Sequence, residues 1–99
     1  MYVQINTTKV AADRTEDFVQ ALSAEKLGSM MTSAKGMVHS FLIQSNEDPQ
    51  IFASLSLWDS RENGQAFFSS PEYIAVVGGV AELLVEKLDR QGYEVRVKY

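Results

Sequence analysis

The 99-residue chain has no cysteine, two prolines, one tryptophan and one histidine. The missing thiols exclude disulfide staples, thiolate nucleophiles and cysteine-ligated zinc or iron–sulfur centres together, and make a cytoplasmic enzyme or binding module the default expectation. Basic residues are also few: nine Lys and Arg stand against thirteen Asp and Glu, for a net charge of −4, and the nine are scattered. Phosphate binding needs clustered positive charge, so no nucleic-acid partner is expected. No apolar run is long enough for a membrane span. Met1-Tyr2-Val3-Gln4 enters a strand-like pattern directly, so neither a signal peptide nor a membrane partner is expected.

What remains is the composition of a folded globular chain, 45% hydrophobic and 22% charged. Its length suits one domain over residues 1–99, large enough to bury a core without metal or disulfide support.

Tyr2 to Val10 alternates Val3 and Ile5 with Gln4 and Asn6 and predicts a strand. Asp13 or Thr15 can cap a following helix, on which Phe18, Leu22, Leu27, Met30, Met31 and Ala34 recur at helical spacing up to about Ser33. Met37 to Gln44 and Gln50 to Trp58 read as a hairpin around Asn46-Glu47-Asp48-Pro49. A short helix is expected from Asp59-Ser60-Arg61-Glu62 to Phe68, and a second from Ser69-Ser70-Pro71-Glu72, with Pro at its first position and a capping box. The second piece carries Tyr73, Ile74, Val77, Val80, Ala81, Leu84 and Leu88 as one stripe closed by Gly92. Tyr93, Val95, Val97 and Tyr99 then alternate as a last strand. Gly78 and Gly79 weaken that helix by about 1 kcal/mol each and suggest either close packing, the preferred reading, or a flexible lid over a pocket.

The order β-α-β-β-α-β, with the second helix broken, predicts a ferredoxin-like α+β fold: a four-stranded antiparallel sheet with its helices on one face. Both strand faces carry apolar residues, so a bare monomer leaves a patch exposed, and a homodimer is expected.

Period two divides the strands into an apolar set, Val3, Ile5, Met37, His39, Phe41, Ile43, Ile51, Ala53, Leu55 and Leu57, and a mixed set, Gln4, Asn6, Val38, Ser40, Leu42, Phe52, Ser54, Ser56 and Trp58. Periodicity favours the apolar set beneath the helices. Were the mixed set there instead, its small serines would leave a cavity lined by Asn6, Ser40, Ser54, Ser56 and Trp58.

The opening strand with Asn6, Gly36 before the second strand, the corner Trp58-Asp59-Ser60 and the run Ser70-Pro71-Glu72-Tyr73 resemble the antibiotic biosynthesis monooxygenase-like family of dimeric α+β barrels, over nearly the whole chain. That family includes cofactor-independent oxygenases of aromatic polyketides and quinols, haem-degrading oxygenases, and members without known activity. The resemblance implies a pocket between sheet and helices, which puts the mixed set, with Asn6 and Trp58, on the inside.

On that basis Asn6 is expected to hydrogen-bond an ionised substrate oxygen and Trp58 to wall the substrate ring, with Ser40, Ser54, Ser56, Phe68 and Tyr73 as binding residues for a small aromatic or hydrophobic ligand. His39, the one imidazole, is the candidate general base, although parity places it on the opposite face, toward the dimer. The haem-degrading branch matches at Asn6 and Trp58, but its helix histidine has no counterpart in Tyr73 to Gly79, where Tyr73 is the remaining oxygen ligand. The expected activity is thus a cofactor-independent monooxygenase for a phenol or quinol. The alternatives are a haem-binding oxygenase and a non-catalytic ligand-binding dimer.

Overall fold

In the computed structural model, described over residues 1–23 and 27–99 apart from the side chains of Lys87 and Leu88, the chain builds one antiparallel sheet. Its elements are β1 (Tyr2–Val10), α1 (Thr15–Ala21), α2 (Ser29–Thr32), β2 (Met37–Gln44), β3 (Ile51–Trp58), α3 (Arg61–Phe68), α4 (Pro71–Val80), a 3-10 turn (Ala81–Leu83) and β4 (Leu84–Glu94). The strand order is β2-β3-β1-β4, every neighbouring pair antiparallel. This is the expected ferredoxin-like arrangement.

The helix caps follow from short polar side chains. Ser60 and Ser70 accept from the backbone N–H of Asn63 and Tyr73, and Pro71 stands at the start of α4, where its missing donor costs nothing. Only the serine half of the expected capping box forms, because position 73 is a tyrosine. At α1 neither Asp13 nor Thr15 is the cap: Arg14 occupies that position, without a side-chain cap bond, and its guanidinium pairs with Asp17 at 2.7 Å. The single helix expected up to Ser33 is divided into α1 and α2, and residues 24–26 of that stretch lie outside the described residues. Gly36 ends the α2 region at φ +83°, where a β-carbon would be strained and would strike Asp59 and Asn63.

The sheet reverses the periodicity argument and agrees with the resemblance. Burial alternates along β1 so that Tyr2, Gln4, Asn6, Thr8 and Val10 are buried, together with Phe52, Ser56 and Trp58 of β3. The mixed set therefore faces the helices. The reason is steric: Tyr2, Phe52 and Trp58 supply the bulk on that face, and the polar members between them bond one another. Met37 changes sides, because Val38 is an extra residue between the pairs Met37–Trp58 and His39–Leu57. Met37 thereby joins the Trp58 cluster.

The C-terminal third departs most from expectation. The helical stripe stops at Val80 and Leu83, and Leu84–Glu94 pairs with β1, while Val95 to Tyr99 follow outside any strand. Leu84 and Leu88 are thus strand residues by backbone, the Leu88 side chain lying outside the described set. Tertiary pairing outweighs helical spacing here, since the second edge of β1 would otherwise carry unpaired N–H and C=O groups. β4 follows β1 through two irregularities, between Thr7 and Lys9 and between Lys9 and Val10. Gly92 lets it pass Tyr2, whose ring occupies the space a β-carbon would need. Gly78 and Gly79 are exposed with open space beside them, so close packing does not account for them.

Two clusters form the core: Tyr2, Met31, Trp58, Phe67, Phe68 and Tyr73 at one end, and Val10, Phe18, Phe52, Val80 and Leu83 at the other. On the far side of the sheet Phe41, Ile43 and Tyr93 are about half exposed, and Val3, Ile5, Leu55 and Leu57 are incompletely covered. Among the described residues no helix is long and apolar enough to cross a membrane.

Candidate functional site

A cavity of about 320 Å³ opens where the two clusters meet, beneath α1, α2 and α4. Its walls are chiefly apolar, with Phe18, Met31, Phe52, Phe68, Tyr73 and Val80 prominent, and its polar side chains include Asn6, Thr8, Ser40 and Ser54. A few polar groups converging in an apolar enclosure are the usual form of a small-molecule site.

Asn6 is the centre of the polar set. It is 2% exposed, and its Nδ2 is the one buried side-chain polar atom left without a hydrogen-bond partner among the described residues. Its other end is occupied: Gln4 Nε2 donates to Asn6 Oδ1 at 2.9 Å, and Tyr2 Oη donates to Gln4 Oε1 at 3.1 Å. An unpaired buried donor costs about 1–3 kcal/mol, a cost that a ligand oxygen would remove.

Tyr73 stands beside it. Burial pushes the Tyr73 phenol above its ordinary value of 10.0, while the positive charge of Arg90 and the neighbouring Asn6 amide, which approaches the phenol without meeting hydrogen-bond geometry, act the other way. At neutral pH the phenol therefore keeps its proton and is a second donor. The Arg90 guanidinium carbon lies 5.9 Å from the Tyr73 ring centroid. Arg90 is opposite Asn6 in the β1–β4 register and makes no ion pair among the described residues. Arg90 is exposed and lines a separate groove with Tyr2 and Gln4, so the cavity itself presents two neutral donors, with the positive charge behind the Tyr73 ring.

Five of the expected residues, Asn6, Ser40, Ser54, Phe68 and Tyr73, share this cavity. Ser56 and Trp58 do not line it. Trp58 Nε1 donates to Ser56 Oγ at 2.9 Å, both residues are fully buried, and the indole packs against Phe67 and Phe68 with centroids 5.4 and 5.7 Å away. Its contact with the cavity runs through Phe68. His39 lies on the open face of the sheet, exposed and stacked near Phe41 at 6.4 Å, away from the cavity of its own chain.

Sequence reasoning missed Gln4 and Arg90. Gln4 shares the parity of Asn6, which is a usable signal. Arg90 becomes visible only once β4 is known to start at Leu84.

Haem does not fit these residues. The only imidazole is across the sheet, and burial disfavours a tyrosinate at Tyr73.

The family model for antibiotic biosynthesis monooxygenases matches residues 1–78. Among solved structures, a candidate antibiotic biosynthesis monooxygenase from Nitrosomonas europaea is 24% identical with a TM-score of 0.85, covering 98% of this chain and 100% of that one. A candidate monooxygenase of the same description from Deinococcus radiodurans is 15% identical, TM-score 0.86, covering 100% and 96%. SnoaB, a cofactor-independent oxygenase from Streptomyces nogalater, is 11% identical, TM-score 0.81, covering 98% and 94%. At these identities the likeness is one of fold. No curated protein matches the chain.

Proposed function

Because the chain belongs to the antibiotic biosynthesis monooxygenase family, we propose that it is a cofactor-independent monooxygenase acting on a phenolic or quinol-type small molecule held between sheet and helices. The observation that carries this reading is the unpartnered Asn6 Nδ2 in an otherwise apolar cavity. Such a donor is matched to an oxygen on which charge develops.

The substrate supplies the electrons. Deprotonation of the ring hydroxyl makes the ring electron-rich enough to reduce dioxygen inside a site that excludes water. At the ring carbon para to that hydroxyl, one oxygen atom becomes the new quinone carbonyl and the other leaves as water with the ring hydrogen and the hydroxyl hydrogen, so no external reductant is needed. Asn6 Nδ2 and the Tyr73 hydroxyl hold the ionised oxygen, and Phe68, Phe52 and Phe18 enclose the ring. His39 is on the wrong side of the sheet to take the proton, so ionisation rests with the substrate and the solvent. Rate should therefore follow the acidity of the substrate hydroxyl from one quinol to the next.

Oxygen uptake with a panel of quinols is the direct test. One dioxygen consumed per quinol is expected, and uptake equal to the protein-free control for every member of the panel ends the oxygenase reading.

A homodimer through the open sheet face is part of the same proposal. Phe41, Ile43, Tyr93 and the aliphatic residues around them form an exposed apolar surface of the kind that marks a protein–protein interface. Sedimentation at micromolar concentration should give twice the 11.0 kDa chain mass, and the paired substitution Phe41→Lys, Ile43→Lys should reduce it to one. A clean monomer of the unaltered chain would contradict this.

A further inference from the structure

The side chains of Tyr2, Gln4 and Asn6 stand at alternate positions of β1 on the helix-facing side, at 6%, 6% and 2% exposure. They form a directional ladder that begins at a phenol and ends at the cavity. Direction matters because a side-chain amide presents a donor at one end and an acceptor at the other, and its orientation follows from the network it joins. The Tyr2 hydroxyl has one proton, which it donates to Gln4 Oε1. Gln4 must then turn Nε2 to Asn6, whose carbonyl is taken, leaving Nδ2 toward the cavity. Run in the opposite direction, the ladder would put a carbonyl there and give up the bond from the Tyr2 hydroxyl to Gln4, turning that proton to the open groove that Tyr2 also lines.

We propose that Gln4 is a positioning residue that turns the Asn6 amide so that its N–H, and not its carbonyl, meets the ligand, which makes the cavity selective for the ionised form of a phenol over the neutral form. This rests on the reading above that a phenolic oxygen enters here, and it narrows that class to phenolates. Ser56 and Trp58 leave the ladder to itself, since they bond each other and the Gln4 backbone carbonyl rather than its amide.

Gln4→Glu inverts the ladder at nearly constant shape. A carboxylate at position 4 only accepts, so Asn6 Nδ2 turns to it and Oδ1 faces the cavity, and donation from both neighbours favours the ionised carboxyl. The probe is 4-nitrophenol, whose phenol and phenolate absorb differently, titrated against pH with the whole protein. The phenolate-to-phenol affinity ratio should fall on the order of tenfold to a hundredfold in Gln4→Glu, the range for losing one bond to a charged group. In an Asn6→Leu background the same change should have little effect. An unchanged ratio, or an equal fall with and without Asn6, overturns the proposal, the latter because it reports the new charge alone.

A ligand-free measurement decides the matter even if variants unfold or the probe does not bind. Side-chain amide NMR should show coupling across a hydrogen bond from Gln4 Nε2 to the Asn6 carbonyl, with both Asn6 Nδ2 protons unbonded. Coupling in the reverse sense, or none, overturns the ladder. Neither measurement needs turnover, so failed quinol oxidation with an intact ladder counts against the oxygenase reading alone.

Discussion

Asn6→Ala is expected to lower quinol turnover by about 10²–10³-fold, the usual effect of removing one donor aimed at a developing oxyanion. The loss should appear in kcat/KM, shared between weaker binding of the ionised substrate and slower oxidation, while the apolar walls still hold the ring. Stability moves much less. The variant removes a buried donor that has no partner and strands Gln4 Nε2, which donates to Asn6 Oδ1 in the native chain, so two costs of about 1–3 kcal/mol act in opposite directions. Asn6→Asp is a sharper companion. Its carboxylate keeps the bond from Gln4 but presents negative charge to the cavity, and it should weaken binding of ionised substrates as well as slow their oxidation. Stopped-flow oxygen consumption under single-turnover conditions separates the two effects. A kcat/KM for Asn6→Ala within a factor of a few of the unaltered chain would remove Asn6 from the mechanism.

The part of this site that could be read from the sequence was the part carried by a single strand. Parity along β1 puts Asn6, Gln4 and Tyr2 on one face whatever that face meets, and burial confirms the alternation. Which face meets the helices was not legible by hydrophobicity, because Gln4, Asn6 and Ser56 look like solvent positions until their mutual bonds are seen. The resemblance supplied that choice. Met37 eluded parity because one inserted residue, Val38, reverses it, and nothing in Met37-Val38-His39 announces a bulge. Arg90 was lost for a different reason. Leu84 and Leu88 fit a helical stripe as well as a strand, and only the unpaired edge of β1, a long-range demand, decides between them. Trp58 was legible as an inward residue but not as a filled one, since its indole N–H can face a cavity or a neighbouring serine with the same backbone.

Trp58→Ala should destabilise the fold by about 3–5 kcal/mol, a large share of the 5–15 kcal/mol typical of a domain. The indole is fully buried, and Tyr2 lies opposite it on β1. Phe67 and Phe68 pack directly on it, and its loss also leaves Ser56 Oγ without the N–H that it accepts. That variant alone cannot separate packing from chemistry, because a collapsed cluster would shift Phe68 and close the cavity. Trp58→Phe can. It retains most of the apolar volume and gives up one hydrogen bond, worth about 0.5–1.5 kcal/mol, so denaturant unfolding should show a modest loss. If Trp58 acts through Phe68 rather than on the substrate, kcat in Trp58→Phe should fall only in step with that loss and recover when the variant is assayed at lower temperature. A kcat reduced a hundredfold or more in a variant that melts close to the parent would instead make the indole a catalytic group, and the cavity would have to open toward Trp58 during turnover. The fully buried bond from Trp58 Nε1 to Ser56 Oγ favours the first outcome, because any such opening must first break it without a replacement acceptor nearby.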